Sequence, residues 1–330
     1  MAYVYEKKIG NNSYYYLRET VKKDGKSIPK DIAYLGTTPA EAKKKLSKIK
    51  PDTIRKSYKR IMRHLESNHY LEEVRKQKLK QDDYLGEKLA EVEACKLHYN
   101  KEVLTLDALT LKEVFMNFIV EFAYNTTSLE GNTITLNETY DLFFERRTPK
   151  DRDPRELYDV ENTRDVFFSL LGKKEDLSHD FMESVHKGLM ERIDTRIGYR
   201  TRDVRVFRAS FKPTPAPFVR ADMENLLKWY NSVKDKLHPL ILASVFHHKF
   251  EKIHPFMDGN GRTGRMLLNY ILMQREYPPI VITRASRRKY LNMLDRANKA
   301  KPLSHEKEHY KPLVEFMSDG LLKKYWLIFL

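Results

Sequence analysis

Apolar and polar positions first alternate along this chain and then fall into helical periods. Tyr3, Val4 and Tyr5, then residues 14–17, then residues 32–35 are short runs of aromatic and aliphatic side chains. Gly10-Asn11-Asn12 and Lys23-Asp24-Gly25 separate them, and both are turn chemistry. The pattern predicts a small β unit over residues 2–36. Thr38-Pro39-Ala40-Glu41 then opens a helix with proline at its first position. From Asp52 to about Asn100 the period is helical and the polar positions are heavily charged, with Leu71, Val74, Leu85, Leu89 and Val92 recurring at helical spacing. This segment predicts one long helix, or two with a break near Tyr84-Leu85-Gly86.

From residue 107 the helical period strengthens. Val114, Phe115, Phe118, Ile119 and Phe122 share one face, and a break follows at residues 126–132. Thr135-Leu136-Asn137-Glu138 is a capping box, while Asp153-Pro154 and Ser178-His179-Asp180 open further helices. Residues 198–219 differ: Val204, Val206, Phe207 and Phe211 are β-like and Pro213, Pro215 and Pro217 follow, which predicts a short hairpin or flap. Helices are predicted over 221–233, 239–253, 263–274, 290–299 and 312–325. The fold class is therefore mainly α, a helical body with one β insertion behind a small β-containing unit. Domain boundaries are expected at 1–50 for the basic β-rich unit, 51–106 for a charged helical arm, and 107–330 for the body.

Charge sharpens this division. The chain of 330 residues carries a net charge of +15. Residues 1–80 hold 21 Lys and Arg against 9 Asp and Glu, which leaves the rest nearly balanced. Such an imbalance fits an anionic partner, nucleic acid among them, or a solvated basic face. The tyrosines at 3, 5, 14, 15, 16 and 34 with interleaved lysines face the same choice between nucleic acid, a protein target and simple strand propensity. Residues 52–100 read as a dimer arm, a spacer or a docking module. No apolar run reaches the roughly 18 residues of a membrane span. The single cysteine, Cys95, cannot form an internal disulfide, and the first residues lack an apolar signal core. A cytoplasmic location is expected.

The chemistry concentrates in His254-Pro255-Phe256-Met257-Asp258-Gly259-Asn260-Gly261-Arg262-Thr263-Gly264-Arg265. An apolar helix ends at Ile253, Pro255 breaks it, and a glycine-rich loop leads into the next helix. Backbone N–H groups at that start form an anion site. Arg262 and Arg265 both reach toward it, Asp258 offers an acceptor for a divalent cation over phosphate oxygens, and His254 titrates where a general base should. These are the parts of a phosphate-transfer site. Gly259 to Gly264 mimic the dinucleotide spacing, but no strand precedes them. His247, Glu251 and His254 share a helix face at i, i+4 and i+7, yet the order H-E-x-x-H is absent. No P-loop pattern occurs.

The segment resembles the Fic family signature H-P-F-x-[D/E]-G-N-G-R-x-x-R at every defined position. Gly198-Tyr199-Arg200 and a β-like stretch before the motif are similar to the family's order, and the resemblance covers about residues 107–320. It implies a Fic-type helical bundle with a β-hairpin flap. It also implies transfer of AMP from ATP to a Ser, Thr or Tyr hydroxyl of a protein target, the chain itself among the candidates. By that pattern His254 is the general base and Asp258 holds Mg²⁺. Gly259, Asn260 and Gly261 cradle the phosphates. Arg262 and Arg265 bind the phosphate tail, with Arg265 nearest the γ-phosphate. The acidic residue at 258 departs from kinase-like relatives and favours nucleotidyl transfer.

Thr126-Thr127-Ser128-Leu129-Glu130-Gly131-Asn132 resembles the family's inhibitory motif [S/T]-x-x-x-E-[G/N]. On a helix at about 112–132, Glu130 would pair with Arg265 and block the γ-phosphate. Read alone, the same residues make a helix C-cap. In some relatives this glutamate also serves AMP removal. Phe211, Lys212 and Pro213 would form the target-facing rim of the flap, or belong to a structural hairpin. Tyr290 and Asn298 fall where adenine and ribose contacts are expected, or are core and cap residues. A homodimer is a further expectation. The competing readings are a nucleic-acid-associated regulator with an accessory Fic body, and a Fic enzyme using another nucleotide.

Overall fold

Three antiparallel strands begin the chain: β1 (Ala2–Ile9), β2 (Asn12–Lys23) and β3 (Lys26–Gly36), in the order β1-β2-β3. The structure, a computed structural model, describes residues 1–10, 12–23, 25–205 and 211–330. It divides into two units, residues 1–80 with 90–98 and 330, and residues 81–89 with 99–329.

In the first unit, Val4 and Leu17 pair across β1 and β2, and Leu17 pairs with Ala33 of β3. These side chains, with Tyr15 and Leu35, pack on one another and on helices from the following segment. Those helices are α1 (Pro39–Leu46), which brings Ala42 and Leu46, α2 (Pro51–Ile54), which brings Ile54, and α3 (Tyr58–Arg75), which brings Ile61 and Leu65. Register shifts in β3 between the partners of Tyr15 and Tyr16 let Leu35 enter this core while Tyr34 stays in solvent. The charged period of residues 52–100 resolves into α3 and α4 (Leu89–His98). The break between them spans residues 76–88, wider than the three residues Tyr84-Leu85-Gly86.

Among its described residues the second unit carries helices and no strand. It runs α5 (Ala108–Ser128), α6 (Leu136–Tyr140), α7 (Pro154–Leu170), α8 (His179–Leu189), α9 (Val219–Val233), α10 (Pro239–Ile253), α11 (Asn260–Gln274), α12 (Arg287–Ala297) and α13 (Lys307–Ile328). The predicted caps are in place. Thr135 and Glu138 close a reciprocal capping box, Asp153 accepts from the Arg155 amide, and Ser178 accepts from the Phe181 amide. Each such cap contributes about 1 kcal/mol. The apolar stripe of α5 buries Phe115 and Phe118 against Phe167 of α7 and Phe329, with the Phe118 and Phe167 rings 5.2 Å apart. Helix α10 is apolar almost all round and is correspondingly buried on every side.

The predicted helix starts at 221, 263, 290 and 312 move to 219, 260, 287 and 307. Helix α11 starts at Asn260 and not at 263, because Gly259 takes a left-handed φ of 72° and serves as its N-cap. Helix α13 starts at Lys307, with Pro312 inside its second turn. The predicted flap falls partly on residues 206–210, which lie outside the described residues; 203–205 and 211–215 beside it carry no regular secondary structure. Among the described residues no helix is long and apolar enough to cross a membrane.

Candidate active site

Helix α10 stops because His254 adopts a left-handed conformation, φ 56° and ψ 61°, as its C-cap. A β-carbon disfavours that conformation, so the turn needs support. Arg200 supplies it. Its Nε donates to the His254 carbonyl at 2.8 Å, its amide donates to the Pro255 carbonyl at 2.8 Å, and its other nitrogens reach the carbonyls of Arg202 and Thr214. The loop is then closed by Asn260. Its Oδ1 accepts from the Phe256 amide at 2.8 Å and its Nδ2 donates to the Phe256 carbonyl at 2.9 Å. His186 stacks on the Phe256 ring at 3.7 Å and bonds the Asp258 carbonyl at 3.0 Å.

The start of α11 thus presents its amides next to a carboxylate. Glu130 follows α5 in a turn closed by Gly131, whose φ is 111°. The Glu130 Oε1 accepts from Arg265 at 2.7 Å and its Oε2 accepts from Arg262 at 3.0 Å. Arg265 is further fixed by Thr126, through the hydroxyl at 2.7 Å and the carbonyl at 2.9 Å. Arg262 also pairs with Asp159 of α7. Burial pushes Glu130 toward the neutral acid, but Arg265 and Arg262 outweigh it and hold the carboxyl below its ordinary range. Space is tight here, since a β-carbon on Gly261 would strike the Glu130 carboxylate and approach Arg265 Nη1 to 2.7 Å.

A cavity of about 460 Å³ opens over this arrangement, a size suited to a small-molecule ligand. Its wall includes Glu130, Glu251, His254, Asp258, Gly259, Asn260, Gly261 and Arg265, together with Arg287, Tyr290, Leu291 and Asn298. His254 donates from Nδ1 to the Glu251 carbonyl at 3.3 Å. Its Nε2 is therefore the lone-pair nitrogen. Burial lowers the His254 pKa to about 4, so the ring is neutral. Burial raises Glu251 to about 7, against the opposing pull of Arg265. Glu251 Oε1 and His247 Nδ1 are buried without a hydrogen-bond partner, and both crowd the α-carbon side of Gly264.

Residues 176–272, which include α8, α10 and the loop into α11, match the model of the Fic/DOC family. They form a Fic domain. The chain is 30% identical over 213 residues to the protein adenylyltransferase Fic of Drosophila ananassae, an alignment covering 63% of this chain and 40% of that protein. The Drosophila melanogaster protein of the same name is 29% identical over 212 residues. The chain thus spans well under half the length of these curated relatives. Among solved structures, a Fic domain containing signaling protein from Bacteroides thetaiotaomicron superposes with a TM-score of 0.63 at 26% identity, covering 72% of this chain and 96% of that one. A Fic family protein from Desulfovibrio desulfuricans superposes with a TM-score of 0.62, also at 26% identity, covering 75% and 74%.

The structure brings His254, Asp258, Gly259, Asn260, Gly261 and Arg265 of the matched region to one cavity, with Glu130 delivered from outside that region by the turn after α5. It does not bring Arg262 to the cavity wall: that side chain is buried between Glu130, Asp159 and Met190. Asn260 lines the wall, but its side chain braces the loop. Tyr290 and Asn298 also line the cavity, their polar atoms bonded to His247 and His248. Phe211 lines the cavity, whereas Lys212 and Pro213 do not. The C-cap reading of residues 126–132 and the Glu130–Arg265 pairing hold together, since Gly131 ends the turn that aims Glu130. Sequence reasoning missed Asp159, the Thr126 contacts and Arg155, which pairs with Asp258. It noted Arg200 without its clamp. Asp159 and Arg155 carry no motif signal, because they come from a helix about 100 residues away.

Among the described residues no three His, Cys, Asp or Glu side chains group as a metal cage. Asp258 offers one carboxylate, with Oδ1 on the Gly259 amide at 2.6 Å and Oδ2 on Arg155. That donor set fits Mg²⁺ carried on phosphate oxygens, which takes one or two carboxylates beside substrate and water.

Proposed function

We propose that the chain is an autoinhibited protein adenylyltransferase that moves AMP from ATP to a protein hydroxyl. The observation that carries this reading is Glu130 bridging Arg265 and Arg262 at the mouth of a complete Fic motif. An arginine paired to a carboxylate cannot also clamp a phosphate, so the two occupants compete for one site. The names of the curated relatives support the transfer itself. With Glu130 displaced, Arg265 would take the γ-phosphate and the α11 amides the phosphates nearer the base. His254 Nε2 removes the proton of a Ser, Thr or Tyr hydroxyl. The hydroxyl oxygen bonds to the α-phosphorus, the bond to the bridging oxygen breaks, and pyrophosphate leaves with that electron pair. Asp258 would hold Mg²⁺, which supplies charge neutralisation on the phosphate oxygens when bound.

The test uses wild type, Glu130→Gly and Glu130→Gly/His254→Ala with Mg²⁺ and α-labelled ATP, read by gel and mass spectrometry. Expected is strong protein labelling by Glu130→Gly, at least tenfold weaker labelling by wild type, and none without His254. Equal labelling by wild type and Glu130→Gly overturns autoinhibition by this residue. Labelling only from UTP or GTP, run in parallel, overturns the choice of ATP. Release of AMP from labelled protein by wild type would add removal to the activity. Size-exclusion chromatography with light scattering reads the expected homodimer directly.

A further inference from the structure

The outer face of the β1–β3 sheet takes no part in nucleotide chemistry. Alternation along the strands turns Val4, Tyr15 and Leu17 into the core beneath. Their neighbours Tyr3, Tyr5, Tyr14 and Tyr16 lie on the opposite face. Tyr34 joins them from β3, its ring 5.2 Å from that of Tyr16 and the residue 45% exposed. Five tyrosines thus share one sheet face, Tyr34 exposed and the other four half-buried, an aromatic patch of the kind that serves as a contact surface.

The cations on this face are positioned against the rings. Arg18, ion-paired to Asp31, holds its guanidinium 3.6 Å over the Tyr5 ring. The Lys45 ammonium sits 4.8 Å over the ring of Tyr34. Register sets three ranks: Tyr3 opposite Arg18, Tyr5 beside Tyr16 and Tyr34, and Lys7 opposite Tyr14. Same-face ranks on a strand are about 7 Å apart, so an extended polymer can set one planar group on each. Beyond the platform, Lys22, Lys23, Lys26 and Lys30 stand exposed on the β2–β3 arm. Residues 1–80 together carry a net charge of +12.

A partner for this surface must be polyanionic and must offer flat faces at intervals. A single nucleic acid strand meets both conditions, because its bases are free to stack on aromatic rings while its phosphates meet lysines. A duplex does not, since its base faces are already stacked on one another. The tyrosine hydroxyls at the ring edges donate and accept, which matches a ribose 2′-hydroxyl. We propose that this sheet face binds single-stranded RNA, with one base on each rank, at Tyr3, at the Tyr16–Tyr34 pair and at Tyr14, and phosphates on the surrounding Lys and Arg.

The test is fluorescence anisotropy of the full chain with fluorescein-labelled oligouridylate across a salt series. Expected is binding that weakens steeply with salt. Tyr16→Ala/Tyr34→Ala should lose at least tenfold in affinity, since stacking contributes a factor of about 5 to 150 per base. Tyr16→Phe/Tyr34→Phe should bind oligouridylate well above the alanine variant, because the stacking faces remain, but should lose part of the preference for oligouridylate over oligothymidylate, because the hydroxyls are gone. Lys22→Ser/Lys23→Ser should flatten the salt slope by about 1.4, two phosphate contacts at about 0.7 each. Binding of duplex RNA or oligothymidylate as tightly as oligouridylate overturns the proposal, as does an alanine variant that binds like wild type. Ultraviolet crosslinking of the wild type gives an independent reading. Uridine adducts on peptides carrying Tyr3, Tyr14, Tyr16 or Tyr34 support it, and adducts confined to other segments overturn it.

Discussion

His254 works, in the proposed chemistry, as a neutral imidazole held in a strained cap. Its pKa of about 4 follows from burial, with the Glu251 carbonyl fixing the proton on Nδ1. A histidine in water begins to protonate at a pH of about 6.5, and this one does so only well below that. The kcat/KM of Glu130→Gly should therefore show no histidine limb between about pH 5.5 and 8; an acid limb centred near 6.5 would contradict the geometry. Glu251 titrates in the opposite sense. Its folded pKa is raised to about 7, while an unfolded glutamate ionises at about 4.3. Between those values the folded chain binds more protons than the unfolded one, so the stability Glu251 supplies below about pH 4 is lost as pH rises through about 7. Glu251→Gln removes that loss. Thermal melts should show the variant gaining on wild type from about pH 4.5 to 7 and then running parallel.

At the scale of elements, the site is a junction of helix ends. The C-terminus of α10 supplies His254, the N-terminus of α11 supplies the amides, and the turn after α5 supplies Glu130. That turn depends on Gly131 at φ 111°, and on Arg287 at the start of α12, whose Nε donates to the Leu129 carbonyl at 2.9 Å. An alanine at this φ costs about 1–2 kcal/mol. The strain is relieved by letting the turn relax, which carries Glu130 away from Arg265. Gly131→Ala should raise protein labelling by α-labelled ATP toward the level of Glu130→Gly without touching a catalytic group. Labelling that stays at the wild-type level would mean that Glu130 is held by its ion pairs alone.

Over the whole molecule, what the sequence discloses follows contiguity. The loop of residues 254–265 is legible because one helix end, one turn and one helix start lie in a single stretch, each with its own signal. The caps at Asp153, Thr135 and Ser178 are legible for the same reason. Glu130 is legible through its own short pattern, although its second partner, Arg262, is not. Asp159 could not be found this way, because a carboxylate on a charged helix face looks the same whether it meets solvent or a buried arginine. The expected role of Arg262 on the phosphate tail rested on its spacing from Arg265. Residues three apart share a helix face, offset by only about 60°, so both arginines meet Glu130, but Arg265 lines the cavity while Arg262 runs on to Asp159 and Met190. The start of α11 was misread because Gly259 was taken as loop only, and not also as the cap.

The bridge from Glu130 to the two arginines has a thermodynamic corollary. If carboxylate and γ-phosphate exclude each other, their equilibria are linked, and the linkage is reciprocal. Whatever factor the loss of the carboxylate gains for productive nucleotide, bound nucleotide must return by loosening the end of α5. The brake is then also a gauge: its occupancy reports the free ATP concentration. Amide hydrogen exchange at residues 126–132 should accelerate as ATP is titrated into the wild-type chain. In Glu130→Gly the same amides should already exchange fast and respond little.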